Sequence, residues 1–326
     1  MVSEQRRGKR YLITGISGFV AGHYLEYLAR HVPDARVIGV DINPPELSFL
    51  GSSFKNNIEF HQNSLLDQAS IKDIIAGSPP DYIVHLASFS SVAFSWKEPV
   101  PCFVNNTNIF LNVIDTVRKA GITPRILSVG SSEEYGAVDK KNIPLKEDAP
   151  LNPASPYAVA RVSQEMVSRI YSRGYGLPII CTRSFNHIGP RQREIFAVSS
   201  FAKQAAEAKK GIRNHILCGD IDIIRDFIDV RDAVRAYDIL LQRGTAGEVY
   251  NVCSGQGHSL SEIIEMLKNI AGLDMTVRKD PSLIRTVDNP MIIGSCDKLK
   301  KEVSFSMSYD IKDSLADVLA YWEDHV

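Results

Sequence analysis

The sequence predicts an α/β protein: a doubly wound parallel sheet followed by a smaller, mixed α/β C-terminal lobe. Three observations carry that reading. Short apolar strand patterns alternate with helical patterns through the first half of the chain, which is the signature of a parallel sheet covered on both faces. The first strand runs straight into a glycine-rich turn and a helix, the unit that brings backbone N–H groups onto a pyrophosphate. Beyond about residue 190 the alternation gives way to strands and helices mixed with long loops. A chain of 326 residues with 44% hydrophobic content has room for two lobes and a core. The expected division is residues 1–185 for the sheet domain and 186–326 for the lobe, with some later segments returning to the sheet.

Composition narrows the function classes. A formal charge of -1 gives no bulk attraction to nucleic acid or anionic membranes, so an anionic ligand has to be met by locally placed groups. The basic run Arg6-Arg7-Gly8-Lys9-Arg10 reads as a solvated tail without the apolar stretch of a signal peptide, and no segment approaches the roughly 20 apolar residues of a membrane span. A cytoplasmic location is expected. The five cysteines are scattered without a C-x-x-C pair and the eight histidines lack ligand spacing, so neither a disulfide framework nor a metal is expected.

Taken in order, Tyr11-Leu12-Ile13-Thr14 is the first strand, and the turn after it offers Gly15, Ser17, Gly18, Phe19 and Val20 to a dinucleotide. The second strand, residues 36–40, ends on Asp41, whose carboxylate would accept from the adenosine ribose hydroxyls and repel a 2′-phosphate, or else serve as a helix cap. Residues 58–61 form a third strand that delivers Asn63, Ser64 and Leu65 to the crevice, and Asp67 opens a helix to residue 75. The strand at 82–87 ends on Leu86, Ala87 and Ser88. One long helix is expected over 99–121, then a fifth strand over 125–129 that delivers Gly130-Ser131-Ser132-Glu133-Glu134-Tyr135-Gly136 to the same sheet edge. A hydroxyl such as that of Ser131 can hold a substrate oxygen there, although serines at strand ends are commonly turn formers. In Ser155-Pro156-Tyr157-Ala158-Val159-Ala160-Arg161, helical spacing puts the Tyr157 phenol and the Arg161 guanidinium on one face. That pairing suits an acid for a carbonyl, the alternative being an ordinary amphipathic helix.

Together Thr14-Gly15, Gly18-Phe19, Asp41, His85-Leu86-Ala87, Asn106, Ser131 and Tyr157-x-x-x-Arg161 resemble the extended short-chain dehydrogenase/reductase family over nearly the whole chain. The resemblance implies a Rossmann sheet binding NADH or NADPH, with Asp41 leaning toward NADH. It implies that Ser131 positions substrate, Tyr157 exchanges a proton, Arg161 binds the nicotinamide ribose and steadies the phenolate, and Asn106 holds a proton-relay water. It adds Val129, Phe185 and His187 to the cofactor contacts. One departure matters: the family usually has lysine where this chain has Arg161, and a guanidinium cannot release a proton into a relay.

In the C-terminal part, residues 179–183 read as a sixth strand ending in the turn Ser184-Phe185-Asn186-His187-Ile188-Gly189-Pro190. Arg225 heads a short strand and Arg285 lies near Asp288; two converging arginines would suit a diphosphate, while surface pairing with neighbouring aspartates is the plainer alternative. The segments 184–190, 225–227, 230–232 and 250–255 look like those of the GDP-4-keto-6-deoxymannose reductase branch. That likeness implies substrate contacts from Ser90, Ser131, Ser132, Glu133, Tyr157, Asn186, Val198, Leu217, Gly219, Arg225, Arg285 and Asp288, with residues 217–219 along the nucleobase. The implied reaction is reduction of a GDP-4-keto-6-deoxyhexose to GDP-rhamnose in a homodimer. A GDP-mannose 4,6-dehydratase with Glu133 as base, another nucleotide-sugar epimerase or dehydratase, and a non-catalytic dinucleotide-binding regulator stay open beside it.

Overall fold

A sheet whose central strands are buried on both faces builds the first of two units in the computed structural model, which describes residues 8–284 and 289–326. This unit comprises the described residues up to Glu134, then Ser155–Arg183 and Val234–Val249. In chain order it contains β1 (Arg10–Thr14), α1 (Phe19–His31), β2 (Arg36–Asp41), α2 (Ser52–Lys55), β3 (Ile58–Gln62), α3 (Gln68–Gly77), β4 (Tyr82–His85), α4 (Val92–Lys97), α5 (Pro99–Lys119), β5 (Arg125–Ser131), α6 (Pro156–Tyr175) and β6 (Ile179–Ser184). The helix starts follow from local chemistry. The Asp67 carboxylate accepts from the N–H groups of Ala69 and Ser70 to cap α3. Ser155 caps α6 through the Ala158 N–H, Pro156 sits in the first turn where no N–H is needed, and Gly176 ends the helix in the left-handed region at φ 70°.

The second unit holds Tyr135–Ala154, Ser184–Ala233 and the described part of Tyr250–Val326. Its elements continue as β7 (Asn186–Ile188), α7 (Ala197–Lys209), β8 (His215–Cys218), β9 (Ile224–Asp229), α8 (Val230–Arg243), β10 (Val249–Val252), β11 (Gly257–Ser259), α9 (Leu260–Ala271), β12 (Thr276–Lys279), β13 (Met291–Ile292), α10 (Asp297–Val303) and α11 (Ile311–Glu323). From Val234 onward α8 belongs to the first unit, beyond the boundary expected at 185, and Tyr135–Ala154 clusters with the second unit although it lies before that boundary.

The large sheet has the order β10-β6-β5-β4-β1-β2-β3. Its pairs β1–β2, β1–β4, β2–β3 and β4–β5 are parallel. The order reverses between β1 and β4, and such a switch point opens a crevice at the carboxyl ends of the strands. Register puts Thr14 beside both Val40 and His85. The turn after Thr14, Asp41 and Leu86 therefore leave the sheet at one edge. Below them Leu12, Ile38, Ile83 and Ile126 pack against Phe110, Ile114 and Val117 of α5 in one apolar cluster.

In the second unit β9 pairs with β7, β11 and β13, while β8 pairs with β12. Helices α7, α9 and α11 bury Phe201, Ile263, Leu267, Leu315 and Val318 in a shared core. All five cysteines are free and buried. Cys253 and Cys296, far apart in sequence, share a small cluster with Tyr135, Leu145, Phe185 and Ile292. No helix among the described residues is long and apolar enough to cross a membrane.

Candidate active site

The crevice begins at the first turn. Gly15 has φ +73°, and a Cβ there would lie 2.6 Å from the Ala87 backbone nitrogen, so only glycine lets β1 turn this close to the end of β4. Gly18 caps α1 without a side-chain acceptor. The first-turn N–H groups at Phe19 and Val20 thus face the helix end with the positive pole of its dipole, which fits a pyrophosphate. The Asp41 carboxylate accepts from the Ser17 N–H at 3.1 Å and the Asn43 N–H at 3.1 Å. Ser17 also donates its hydroxyl to the Asn43 carbonyl. Ser17 therefore ties the turn to the Asp41 loop, and each Asp41 oxygen keeps a lone pair for a ribose. Ser88 Oγ is buried with no hydrogen-bond partner among the described residues. A buried hydroxyl is costly in that state, so an orphan at this edge marks where a polar ligand belongs.

Local structure already engages several crevice residues of the sequence reading. Asn63 donates its N–H to the Asp41 carbonyl at 2.9 Å. Ser64 accepts from the Leu66 N–H as a turn former. Leu65 is 6% exposed, and its side chain is core. Leu86 and Ala87 are partly exposed at the end of β4, and Ser90 is exposed.

The chemistry gathers on α6. Its buried face runs Tyr157, Arg161, Gln164, Glu165 and Ser168, a polar stripe that would be costly to bury unless each group found a partner. Each does. Arg161 donates from Nε to the Tyr157 hydroxyl at 3.2 Å, and from Nη1 to the Val129 carbonyl at 3.0 Å and Gln164 Oε1 at 2.7 Å. Gln164 in turn donates to Ser128 Oγ at 2.8 Å. The guanidinium carbon stands 5.3 Å from the Tyr157 ring centre. Tyr157 is 6% and Arg161 5% exposed, so the cation is fixed beside the phenol with little screening. Gln164 and Ser128 were absent from the sequence reading. Helical spacing from Arg161 flags Gln164, but only the fold puts Ser128 opposite it.

At the end of β5, Ser131 Oγ accepts from the Glu133 N–H at 3.2 Å. Among the described residues no acceptor takes its proton, so the hydroxyl is set to donate. Ser132 is 3% exposed, and Glu133 is half-buried. His85, one strand away, is hydrogen-bonded through Nδ1 to Thr14 Oγ1 at 2.8 Å. Burial, then the Arg161 charge, push its imidazole down to about 3, so it adds no second cation beside Arg161.

Asn106 departs from its expected part. Its Oδ1 accepts from the Phe89 N–H at 2.8 Å and its Nδ2 donates to the Phe89 carbonyl at 3.0 Å. Asn105 Nδ2 and Cys102 Sγ occupy the remaining positions of the amide. With these bonds made the side-chain amide has no spare position, and Asn106 clamps the loop after β4.

In the second unit Arg225 is 4% exposed and donates to the Ile224 carbonyl at 2.9 Å. The neighbouring Asp226, read in sequence only as a surface partner, is 1% exposed. It accepts from Ser254 N and Oγ, Gly255 N and Gly294 N. Burial raises Asp226 despite these donors. It binds two loops to β9. Asn186 is exposed at the start of β7, and burial pushes the His187 imidazole down to about 4. Leu217 and Gly219 border the end of β8, Leu217 donating its N–H to Gln204 Oε1 at 2.7 Å. Two expectations are corrected. Val198 is 3% exposed inside the helical core, because it lies on the apolar face of α7. The Phe185 ring fills the Tyr135–Cys296 cluster while its N–H goes to the Val252 carbonyl at 2.9 Å, which makes it a packing residue. Arg285 and Asp288 lie outside the described residues. Among those residues no cluster of three metal-ligating side chains occurs.

Comparison with known proteins places this geometry. A family model described as GDP-mannose 4,6 dehydratase matches residues 12–318. A GDP-6-deoxy-D-mannose reductase of Pseudomonas aeruginosa is 33% identical over 320 residues, covering 98% of this chain and 98% of that one. The structure of RMD from Pseudomonas aeruginosa complexed with NADPH aligns with a TM-score of 0.86 at 32% identity, over 98% of this chain and 100% of that chain. A GDP-mannose 4,6-dehydratase of Sordaria araneosa is 24% identical, covering 97% of this chain and 61% of that protein.

Proposed function

The chain belongs to the GDP-mannose 4,6 dehydratase family, and from that premise we propose that it reduces the C4 keto group of a GDP-4-keto-6-deoxyhexose with NADH or NADPH, giving GDP-rhamnose. The observation that carries this reading is the buried Arg161 guanidinium hydrogen-bonded to the Tyr157 hydroxyl. A bound nicotinamide would supply the hydride to C4. Tyr157 gives its phenolic proton to the alkoxide that forms on the sugar O4, the Tyr157 O–H bond breaking as the new one is made. Ser131 donates a hydrogen bond to the same oxygen, and Arg161 steadies the phenolate left behind. Arg225 is the residue assigned to the diphosphate, by likeness to the reductases.

The second reading is 4,6-dehydration, in which Glu133 takes the C5 proton; what favours it is a half-buried carboxyl two residues after Ser131. The two are separated by supplying GDP-mannose with oxidised cofactor in one tube and GDP-4-keto-6-deoxymannose with NADH or NADPH in another. Consumption of reduced cofactor only in the second is expected. Keto sugar appearing in the first would replace the reductase with a dehydratase. In the same assay Asp41→Ala should raise the use of NADPH relative to NADH, since the carboxylate that repels a 2′-phosphate is gone. An unchanged ratio would leave Asp41 as an anchor for Ser17 alone.

The acting form in this reading is a homodimer in the cytoplasm, a compartment compatible with five free thiols. Val100, Val104 and Leu111 along α5, and Val159, Met166 and Ile170 along α6, are exposed at helical spacing. Two such faces would cover each other about a two-fold axis. Sedimentation as a monomer at micromolar concentration would remove the dimer.

A further inference from the structure

Ser131 and Glu134 make reciprocal bonds at the start of the short 3-10 turn Ser132–Tyr135. Ser131 Oγ accepts from the Glu133 N–H at 3.2 Å, and Glu134 Oε1 accepts from the Ser131 N–H at 2.7 Å. This serine is also the one assigned to the substrate oxygen. Glu134 has 0% exposure. Its carboxyl fits because residue 130 is glycine: a Cβ there would come within 2.3 Å of Glu134 Oε1 and 2.5 Å of the Thr182 carbonyl.

Beyond Glu134 lies a buried ion cluster. Arg183 of β6 forks onto Glu165 of α6 at 2.8 and 2.9 Å, and its Nε is 4.0 Å from Glu134 Oε2. Arg169 adds a contact to Glu165 at 2.9 Å. Burial, then the Glu165 charge, push Glu134 well above the usual carboxylate range. Burial alone would raise Glu165 too, but the Arg183 fork outweighs it and holds Glu165 low. Burial thus favours the protonated form of Glu134, whose Oε1 receives the Ser131 N–H. Glu165 lies one helical turn beyond Arg161 and two beyond Tyr157 on the same buried face.

We propose that Glu134 is a positioning residue for the reaction: by accepting the Ser131 N–H it fixes Ser131 at the end of β5, beside the Arg183–Glu165 fork that joins β6 to the helix carrying Tyr157. The serine hydroxyl and the phenol are then held at one spacing, which matters because a displacement of about 1 Å in a reacting constellation can cost roughly a hundredfold in rate. This inference rests on the roles given above to Ser131 and Tyr157.

The test compares Glu134→Met, which keeps the shape and loses the acceptor, with Glu134→Gln, which keeps Oε1 as an acceptor without charge. Met should lower kcat by about tenfold to a hundredfold while KM stays within about twofold, the split expected when geometry and not binding is lost. Hydrogen exchange in the 130–134 segment should quicken in the same variant. Gln should restore most of the rate and the exchange protection. Wild-type kcat in Met, or Gln falling as far as Met, overturns the role. If Met fails to bind cofactor and is therefore misfolded, Glu134→Leu takes its place: it too lacks the acceptor for the Ser131 N–H, should lower kcat with KM unchanged, and overturns the proposal if its kcat is wild-type. Ser131→Ala, run alongside, separates the two ways of failing. A fast Ser131→Ala removes the serine assignment and this inference with it, whereas a slow Ser131→Ala beside a fast Glu134→Met removes the positioning role alone.

Discussion

Tyr157→Phe is expected to lower kcat by about 10²–10⁴-fold, the range general acid catalysis commonly supplies, with little change in KM for either the sugar nucleotide or the cofactor. The substitution is selective by construction. The ring keeps its packing against Val92 and Cys102 and its place under the Arg161 guanidinium, and Arg161 keeps its bonds to the Val129 carbonyl and Gln164. Only the hydroxyl is lost, and it gives up its proton as the alkoxide forms, so the loss falls on the transition state rather than on binding. Steady-state rates and fluorescence titration of the cofactor on the same preparation decide the matter. Turnover comparable to wild type would remove Tyr157 as the proton donor.

The framework of this site was legible in the sequence, while the partners of its residues were not. Strand patterns at 11–14, 36–40 and 125–129 fall inside β1, β2 and β5, and Asp67 is found at the helix start it was expected to open. Period 3.6 was enough to put Tyr157 and Arg161 together. The same period continues through Gln164, Glu165 and Ser168, yet a polar stripe on a helix ordinarily means a solvated face, and nothing local reveals that this one is buried against β5 and β6. The bonds that make the burial tolerable are long-range: Gln164 to Ser128, Arg183 to Glu165. Asn106 failed for a related reason. Its position in the helix was readable, but the Phe89 peptide that fills its amide comes from a loop whose path no pattern specifies. Asp226 likewise looked like a surface partner for Arg225 until the loops at 254–255 and 294 closed over it.

The family's usual lysine at position 161 makes the other large effect testable. Arg161→Met should lower kcat by about a hundredfold or more, because the field that steadies the phenolate is removed from a site with little solvent to replace it. It should also destabilise the fold by about 1–3 kcal/mol, because Gln164 Oε1 loses its donor while the Val129 carbonyl keeps only its bond from Gln164 Nε2. Denaturant midpoints and kcat measured together check both parts. Arg161→Lys is expected to fall between wild type and Met. An ammonium restores the charge, but one nitrogen must then serve the Tyr157 hydroxyl, the Val129 carbonyl and Gln164, which the planar fork reaches with two. Lysine could also pass a proton onward, whereas here the Asn106 amide is filled and offers no bond to a relay water. If the lysine variant is as slow as the methionine variant, the fork geometry and not the charge is what Tyr157 depends on; if it outpaces wild type, proton delivery through position 161 is open after all and the filled Asn106 amide does not block it.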